Sequence, residues 1–458
     1  MAKVVKRGDR KKESGQARKL LYVSLVILII KLIIIFSIRF GGWLGSDAEG
    51  YIAGAISLLK HGLFAKDEVL SYLPAGYPIL IWLWSFITHT GSLITNQTSL
   101  MVISIFQSLF YFGACAFFVE KIRKTRVKSI AFPAALLLGI NPTLSLSSLV
   151  TGYESVVASC MILSVAVIMD FQQNPTRRSL WKTILIVGLA QSLAGFTQPR
   201  ELLIGFSLLV LWGLFQKSRK MFVTIVIAGC CVMSILPLVL VARNIEATGT
   251  AVLSSQLGAT MSGGAGDDAT GGYLARGFIT CPPKPEGQKV SDNELVGCVL
   301  NWYIHHPSKT VKLIVNKTIF FWSPWTGPLA NGTMARNPWL KIDPIVSAEK
   351  TFSGHALVFG WFGKCVSWIW LMGGLLLLCL GFGHLWRQGG LERALSLLLL
   401  LPVVLSTLVS VGTIGDHRYR VPTMGLSLFL QLAGYFDLKG RFSGAAGVVA
   451  LEPRGRAR

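Results

Sequence analysis

Along the chain, apolar residues come in long unbroken runs rather than in alternation with polar ones. The clearest runs cover 20–40, 100–119, 130–150, 155–171, 183–199, 202–216, 221–242, 356–383, 394–412 and 421–437. A helix that crosses a bilayer needs roughly 17 to 25 apolar residues, and these runs reach or approach that length. A membrane β-barrel would instead show segments of about ten residues with alternating polarity. The pattern predicts an all-α polytopic membrane protein with about ten or more transmembrane helices. Two further stretches, 76–94 and 311–322, are apolar but short or interrupted. They are expected to be interfacial or re-entrant elements.

Composition agrees. Of the 458 residues, 52% are hydrophobic and only 14% are charged, against about 25% charged in a soluble domain. A net charge of +22 would ordinarily raise nucleic-acid binding, but the placement of the charge excludes it. Basic residues cluster between apolar runs, at Lys3 to Lys19, Lys121 to Lys128, Arg177 to Lys182, Lys217 to Lys220 and in the tail from Lys439. That is the positive-inside signature. With the N-terminus in the cytoplasm and the ten runs alternating, every cluster falls inside, together with Arg387 and Arg393. No small-residue cleavage site follows the first run, which is read as a retained helix.

This orientation predicts a layout. A basic cytoplasmic N-terminus (1–19) leads into an N-terminal transmembrane half (20–242), whose first outer loop is 41–99. A large outer loop (243–355), C-terminal transmembrane helices (356–437) and a basic cytoplasmic tail (438–458) follow. Short outer turns fall near 151–154, 198–201 and 413–420. The expected location is the plasma (inner) membrane, with both termini cytoplasmic.

Six of the eight cysteines (115, 160, 230, 231, 365 and 379) lie in predicted spans and read as small core hydrophobes. Cys281 and Cys298 alone fall in an aqueous loop, and that loop faces the oxidising side, so they are the disulfide candidate. Their spacing fits no metal motif. Asn96, Asn316 and Asn331 stand in N-x-[ST] triplets, too common a pattern to carry an argument.

The chain has no phosphate-binding glycine loop, no H-E-x-x-H and no dinucleotide fingerprint, nor room for a soluble nucleotide-binding domain. Chemistry, if present, belongs at the outer membrane face or within the bundle. Asp47 follows the first span in Ser46-Asp47-Ala48-Glu49-Gly50-Tyr51. It can cap a helix, serve as a general base at the membrane surface, or both. The three short outer turns hold no lysine and three arginines, Arg200, Arg418 and Arg420. Arginine at that depth is costly unless it is paired or used, and a lipid phosphate suits a guanidinium in bidentate fashion. The plainer alternatives are snorkelling to headgroups or ion pairs with Glu201 or Glu154. Lys31, midway along the first span, is assigned no role.

Taken in order, these segments resemble the GT-C-fold glycosyltransferases that use polyprenyl-phosphate sugars, a group related to protein O-mannosyltransferases and aminoarabinose transferases. Ser46 to Tyr51 with Ala53 and Gly62 resembles the family's first-loop acidic motif. Leu73-Pro74-Ala75-Gly76-Tyr77-Pro78 resembles its P-P-G-Y-P element, with Ala75 in place of the second proline. Thr151-Gly152-Tyr153-Glu154, Gln198-Pro199-Arg200, Ala242-Arg243-Asn244 with Gly249, Trp302, His306-Pro307 and Arg418-Tyr419-Arg420-Val421-Pro422 complete the series. The resemblance covers about 20–437.

What the resemblance implies is inverting transfer of a sugar from a polyprenyl-phosphate donor to a glycan, lipid or protein acceptor. Asp47 would be the base, or Glu49 if the motif is offset by two. Arg200, Arg418, Arg420 and Arg243, with Glu154, would bind the donor lipid phosphate. No cofactor is required and no metal ligand cluster is visible, although some relatives bind a divalent cation. A lipid-linked glycan polymerase or ligase would also use outer-loop arginines, but has no evident need for an acid directly after the first span. A transporter or flippase predicts inverted repeats and midplane ionisable residues, and only Lys31 fits.

Overall fold

The computed structural model describes residues 7–38, 45–87, 97–149, 151–272, 279–282, 290–322 and 360–448. Every regular element among them is helical. The chain is an all-α polytopic membrane protein.

Helix α1 (Arg7–Ile38) carries the first apolar run. Helices α2 (Gly45–His61), α3 (Glu68–Tyr72) and α4 (Gly76–Ile87) follow before the long α5 (Gln97–Arg123). The core then runs through α6 (Ala131–Ile140), α7 (Pro142–Leu146), α8 (Glu154–Gln173), α9 (Arg177–Thr197), α10 (Glu201–Leu214), α11 (Arg219–Met233) and α12 (Ile235–Thr248). Short α13 (Leu257–Gly263) and the pair α14 (Asp292–His305) and α15 (Pro307–Trp322) follow, within the segment read from sequence as the large loop. The last three helices are α16 (Gly360–Gln388), α17 (Gly390–Gly412) and α18 (Val421–Val448).

Among the described residues the apolar runs are helical, eight of them on a single helix and two, 130–150 and 221–242, divided between two. Five described helices are long and apolar enough to cross a bilayer, or up to seven if two bent pairs each count as one span. Both bends have local causes. The run 130–150 breaks by 63° at Asn141, whose side chain accepts a hydrogen bond from the Leu144 amide at 2.8 Å while Pro142 opens α7. Asparagine cap and proline N1 restart the helix rather than continue it. The run 221–242 bends by 41° between α11 and α12. There Pro237 cannot donate back along the helix, and the Leu236 amide turns aside to Ser192 Oγ at 3.0 Å. Of the stretch 76–94, residues 76–87 form the short helix α4 and the rest lies outside the described residues; 311–322 lies on α15.

The distribution of polarity is that of a protein dissolved in lipid. Ile29, Ile33, Ile227, Leu238, Met372, Leu376 and Leu408 are all more than half exposed. Polar groups instead bridge helices within the bundle. Gln191 of α9 donates to Ser164 Oγ of α8 at 2.8 Å, and Ser104 of α5 donates to the Leu149 carbonyl at 2.8 Å. Such bonds are favoured where hydrocarbon offers no alternative partner. Lys31 follows the same rule: it is buried, donates to Ser148 Oγ at 2.6 Å and lies 4.8 Å from the Tyr111 ring centroid. The cysteines depart from expectation in one respect. Cys115 and Cys160 are buried, but Cys231 and Cys379 face outward. A thiol is apolar enough to meet lipid as readily as protein, so span membership does not imply a core position.

The helix ends sort into two sets. At one end, Lys121 pairs with Asp170 at 2.6 Å, and the Arg126 amide and guanidinium reach Glu392 and the Gln388 carbonyl at 2.8 and 2.9 Å. The basic turns after α5 and α16 thus meet one another. Asp437 binds His384 and Arg441 in the same region at 2.8 and 2.7 Å. At the opposite end, the turns before α8, α10 and α18 converge, and they carry Glu154, Arg200 and Arg418.

Candidate active site

The three converging turns are built for sharp reversal. Thr197 ends α9 and Pro199 sits in the turn that leads to α10. Asp416 caps the 3-10 turn His417–Arg420 by accepting the Arg418 amide at 2.8 Å. Reversal there projects long side chains back over the helix ends. The result is a compact network of charge and aromatic rings.

Arg418 forms an ion pair with buried Glu154. Arg200 donates from one terminal nitrogen to Tyr153 Oη at 2.8 Å and from Nε to Glu201 Oε1 at 3.3 Å. Its guanidinium carbon lies 3.7 Å from the centroid of the Tyr419 ring, a cation–π contact that strengthens as water is excluded. Tyr153 sits between the two arginines, whose guanidinium carbons lie 5.8 and 5.7 Å from its ring centroid. Burial pushes the phenols of Tyr153 and Tyr419 up, so both are neutral at physiological pH.

Arg200, Arg418, Tyr153, Tyr419, Gln198 and Tyr51 line one cavity of about 340 Å³. Leu253, Leu257 and Thr413 close it from the large loop and the end of α17. Tyr51 packs edge-on against Tyr77 and Tyr153, with centroids 5.1 and 6.5 Å apart. Tyr77 Oη accepts the Gly152 amide at 2.9 Å and donates to Gln107 Oε1 at 3.3 Å. A Cβ at Gly76 would collide with the Phe196 carbonyl, so glycine lets the Pro74–Pro78 segment lie directly against the end of α9. That segment therefore seats the first loop on the turns that bear Glu154 and Arg200.

Not every candidate residue reaches the cavity. Arg420 is buried and turned toward α15, donating to the Trp322 carbonyl at 2.6 Å. Two residues apart on a tight turn, Arg418 and Arg420 point in different directions. Burial pushes Arg420 down to about 10, so it keeps its charge.

Arg243 is 1% exposed, and its guanidinium donates to the carbonyls of Leu63, Ala65 and Leu70 and to Asn244 Oδ1. Asn244 in turn donates to the Val252 and Leu253 carbonyls at 2.7 and 3.3 Å. The pair ties the first loop and the segment after α12 together, with Arg243 directed at three backbone carbonyls and one amide oxygen. Arg243→Met leaves several buried carbonyls without partners, at about 1–3 kcal/mol for a lost group. The expected outcome is a drop of several degrees in thermal midpoint, with faster proteolysis of 62–70. A variant as stable as the parent in both assays contradicts this role.

Asp47 lies on α2, one helical turn before the cavity residue Tyr51; its side chain lies outside the described residues. Glu49 is exposed. Cys281 and Cys298 form the expected disulfide, with Cα atoms 5.6 Å apart. Asn96 and Asn331 lie outside the described residues. Three cavity residues, Tyr51, Tyr153 and Tyr419, stand inside the quoted motifs, but the sequence alone gives them no role. Adjacency to an acid or an arginine was the available signal.

Among the described residues, no group of three or more histidine, cysteine or acidic side chains comes together. The buried site carboxylates Glu154 and Glu201 are each engaged by an arginine, which does not fit a metal-ligand role for them.

No family model matches the chain, and no curated protein matches it. Solved structures do. The archaeal oligosaccharyltransferase AglB from Archaeoglobus fulgidus, in complex with an inhibitory peptide and a dolichol-phosphate, is 13% identical with a TM-score of 0.47. That match covers 95% of this chain and 53% of the other, so the chain spans about half the length of that neighbour. ArnT from Cupriavidus metallidurans, in the apo state, is 16% identical with a TM-score of 0.38, covering 92% of this chain and 76% of the other. Both are glycosyltransferases of the kind the sequence motifs resemble. At these scores and identities the likeness carries no argument about what this chain does.

Proposed function

We propose that the chain transfers a sugar, with inversion, from a polyprenyl-phosphate donor to an acceptor hydroxyl at the outer face of the plasma (inner) membrane, both termini being cytoplasmic. The observation that carries this reading is the convergence of Arg200 and Arg418 on one cavity at the helix ends opposite the basic turns. Tyr51, one turn after Asp47, lines the same cavity.

The acceptor oxygen attacks the anomeric carbon as its proton passes to the Asp47 carboxylate. The bond from that carbon to the phosphate oxygen breaks on the opposite face, and the phosphate keeps the electron pair. A phosphodiester with one negative charge becomes a phosphomonoester with two. Preorganised cations are worth most where charge develops, and the Arg200 and Arg418 forks match phosphate oxygens. Glu154 and Tyr153 hold those forks in place. Arg420 and Arg243 act one step away, holding backbone. No step is routed through a metal ion.

The test supplies purified protein in lipid nanodiscs with hexose- and pentose-bearing polyprenyl phosphates, each with glycan, lipid and peptide acceptors. Product and released polyprenyl phosphate are read by mass spectrometry. Conversion of at least one donor is expected. Translocation of intact donor without conversion, or no conversion in any combination, sinks the proposal.

A further inference from the structure

Helix α15 buries a stripe of Leu313, Lys317 and Phe321, four residues apart, and packs on α17 and the 3-10 turn. The middle of that stripe is a lysine where an apolar residue would be expected. Lys317 is 1% exposed. Its ammonium donates to the Thr413 carbonyl at 2.5 Å and to Tyr303 Oη of α14 at 2.9 Å. The Thr413 carbonyl follows the last turn of α17, where the helix dipole favours a cation. Burial pushes Lys317 down to about 8 and Tyr303 up to about 12, so at neutral pH a charged donor meets a neutral phenol.

The contact is continuous on both sides. The Gly415 amide donates to the Gly271 carbonyl at 2.9 Å. A Cβ at Gly415 would collide with Lys317 backbone and the Gly271 carbonyl, so only glycine allows so close an approach. Farther along, Arg420 donates to the Trp322 carbonyl at the end of α15. The segment 413–420 is thus held at both ends by α15. Arg418 and Tyr419, which line the cavity, lie between the two anchors.

We propose that Lys317 is a positioning residue for the phosphate-binding arginines: it docks the large loop onto the 413–420 segment and thereby fixes Arg418 and Tyr419 in the cavity. This rests on the donor-phosphate reading of the cavity given above. A buried cation serves better than a leucine here because it satisfies a terminal helix carbonyl and a phenol together. Docking of the loop and binding of the donor then reinforce each other, since each favours the same arrangement of the turn.

The experiment uses the full chain in nanodiscs, comparing Lys317→Met, Tyr303→Phe and the parent. It measures amide exchange over 413–420 and binding of a polyprenyl monophosphate carrying no sugar. In Lys317→Met, exchange should rise about tenfold and affinity fall about tenfold. Tyr303→Phe, which keeps the cation and the fold, should move both readouts the same way by less. Unchanged exchange in both variants overturns the docking role. Raised exchange with unchanged affinity overturns the positioning role and leaves a structural strut. A parent that binds no polyprenyl phosphate sinks the functional reading instead, while exchange still decides the docking.

Discussion

Asp47→Asn is expected to lower kcat/KM for sugar transfer by about 10²–10⁴, the usual contribution of a positioned general base. The substitution preserves volume, so folding should be untouched. It removes only the ability to accept the acceptor's proton. The helix supplies a control. Glu49 is two residues on, roughly 200° around α2, and exposed, so Glu49→Gln should retain transfer within a few-fold. Reversed losses would move the base to Glu49, and full transfer by Asp47→Asn would remove base catalysis by this residue.

The second large effect is expected at Arg200. Arg200→Gln should reduce kcat and kcat/KM together by about 10²–10³, as for loss of one preorganised donor at developing charge. The guanidinium is fixed on three sides, by Tyr153, Tyr419 and Glu201. Arg200→Lys should therefore recover only part of the activity, because an ammonium restores charge but not the planar fork. One consequence must be separated from catalysis. Removing Arg200 strips buried Glu201 of its cation, which costs stability in its own right. Pairing Arg200→Gln with Glu201→Gln should restore the thermal midpoint while leaving turnover low. Recovery of turnover in the double variant would make Arg200 structural.

How much of this could be read from sequence depends on the range of each interaction. The spans were readable because a bilayer demands long continuous apolar runs, whatever they pack against. The disulfide was readable by elimination, since Cys281 and Cys298 alone lie in an aqueous loop. The 63° break at Asn141 had a local signal in Asn141-Pro142 that hydropathy passes over. Arg243 is different. Its partners, the carbonyls of 63–70, lie far back in the chain, and nothing near Arg243 distinguishes a backbone clamp from a phosphate ligand. Arg418 and Arg420 share one tetrapeptide, yet only the turn geometry sends the first into the cavity and the second to Trp322. Tyr153 and Tyr419 acquire meaning only once three turns from distant segments meet.

Each cavity arginine brings its own carboxylate, Glu154 for Arg418 and Glu201 for Arg200. The site therefore carries no net excess of cations from these four groups, and its grip on an anion comes from the direction of its N–H groups rather than from a bulk field. Long-range attraction fades with ionic strength, whereas directed short-range bonds do so far less. A lipid carrier leaving with two negative charges would thus meet no large electrostatic trap. Local neutrality of this kind favours turnover over retention.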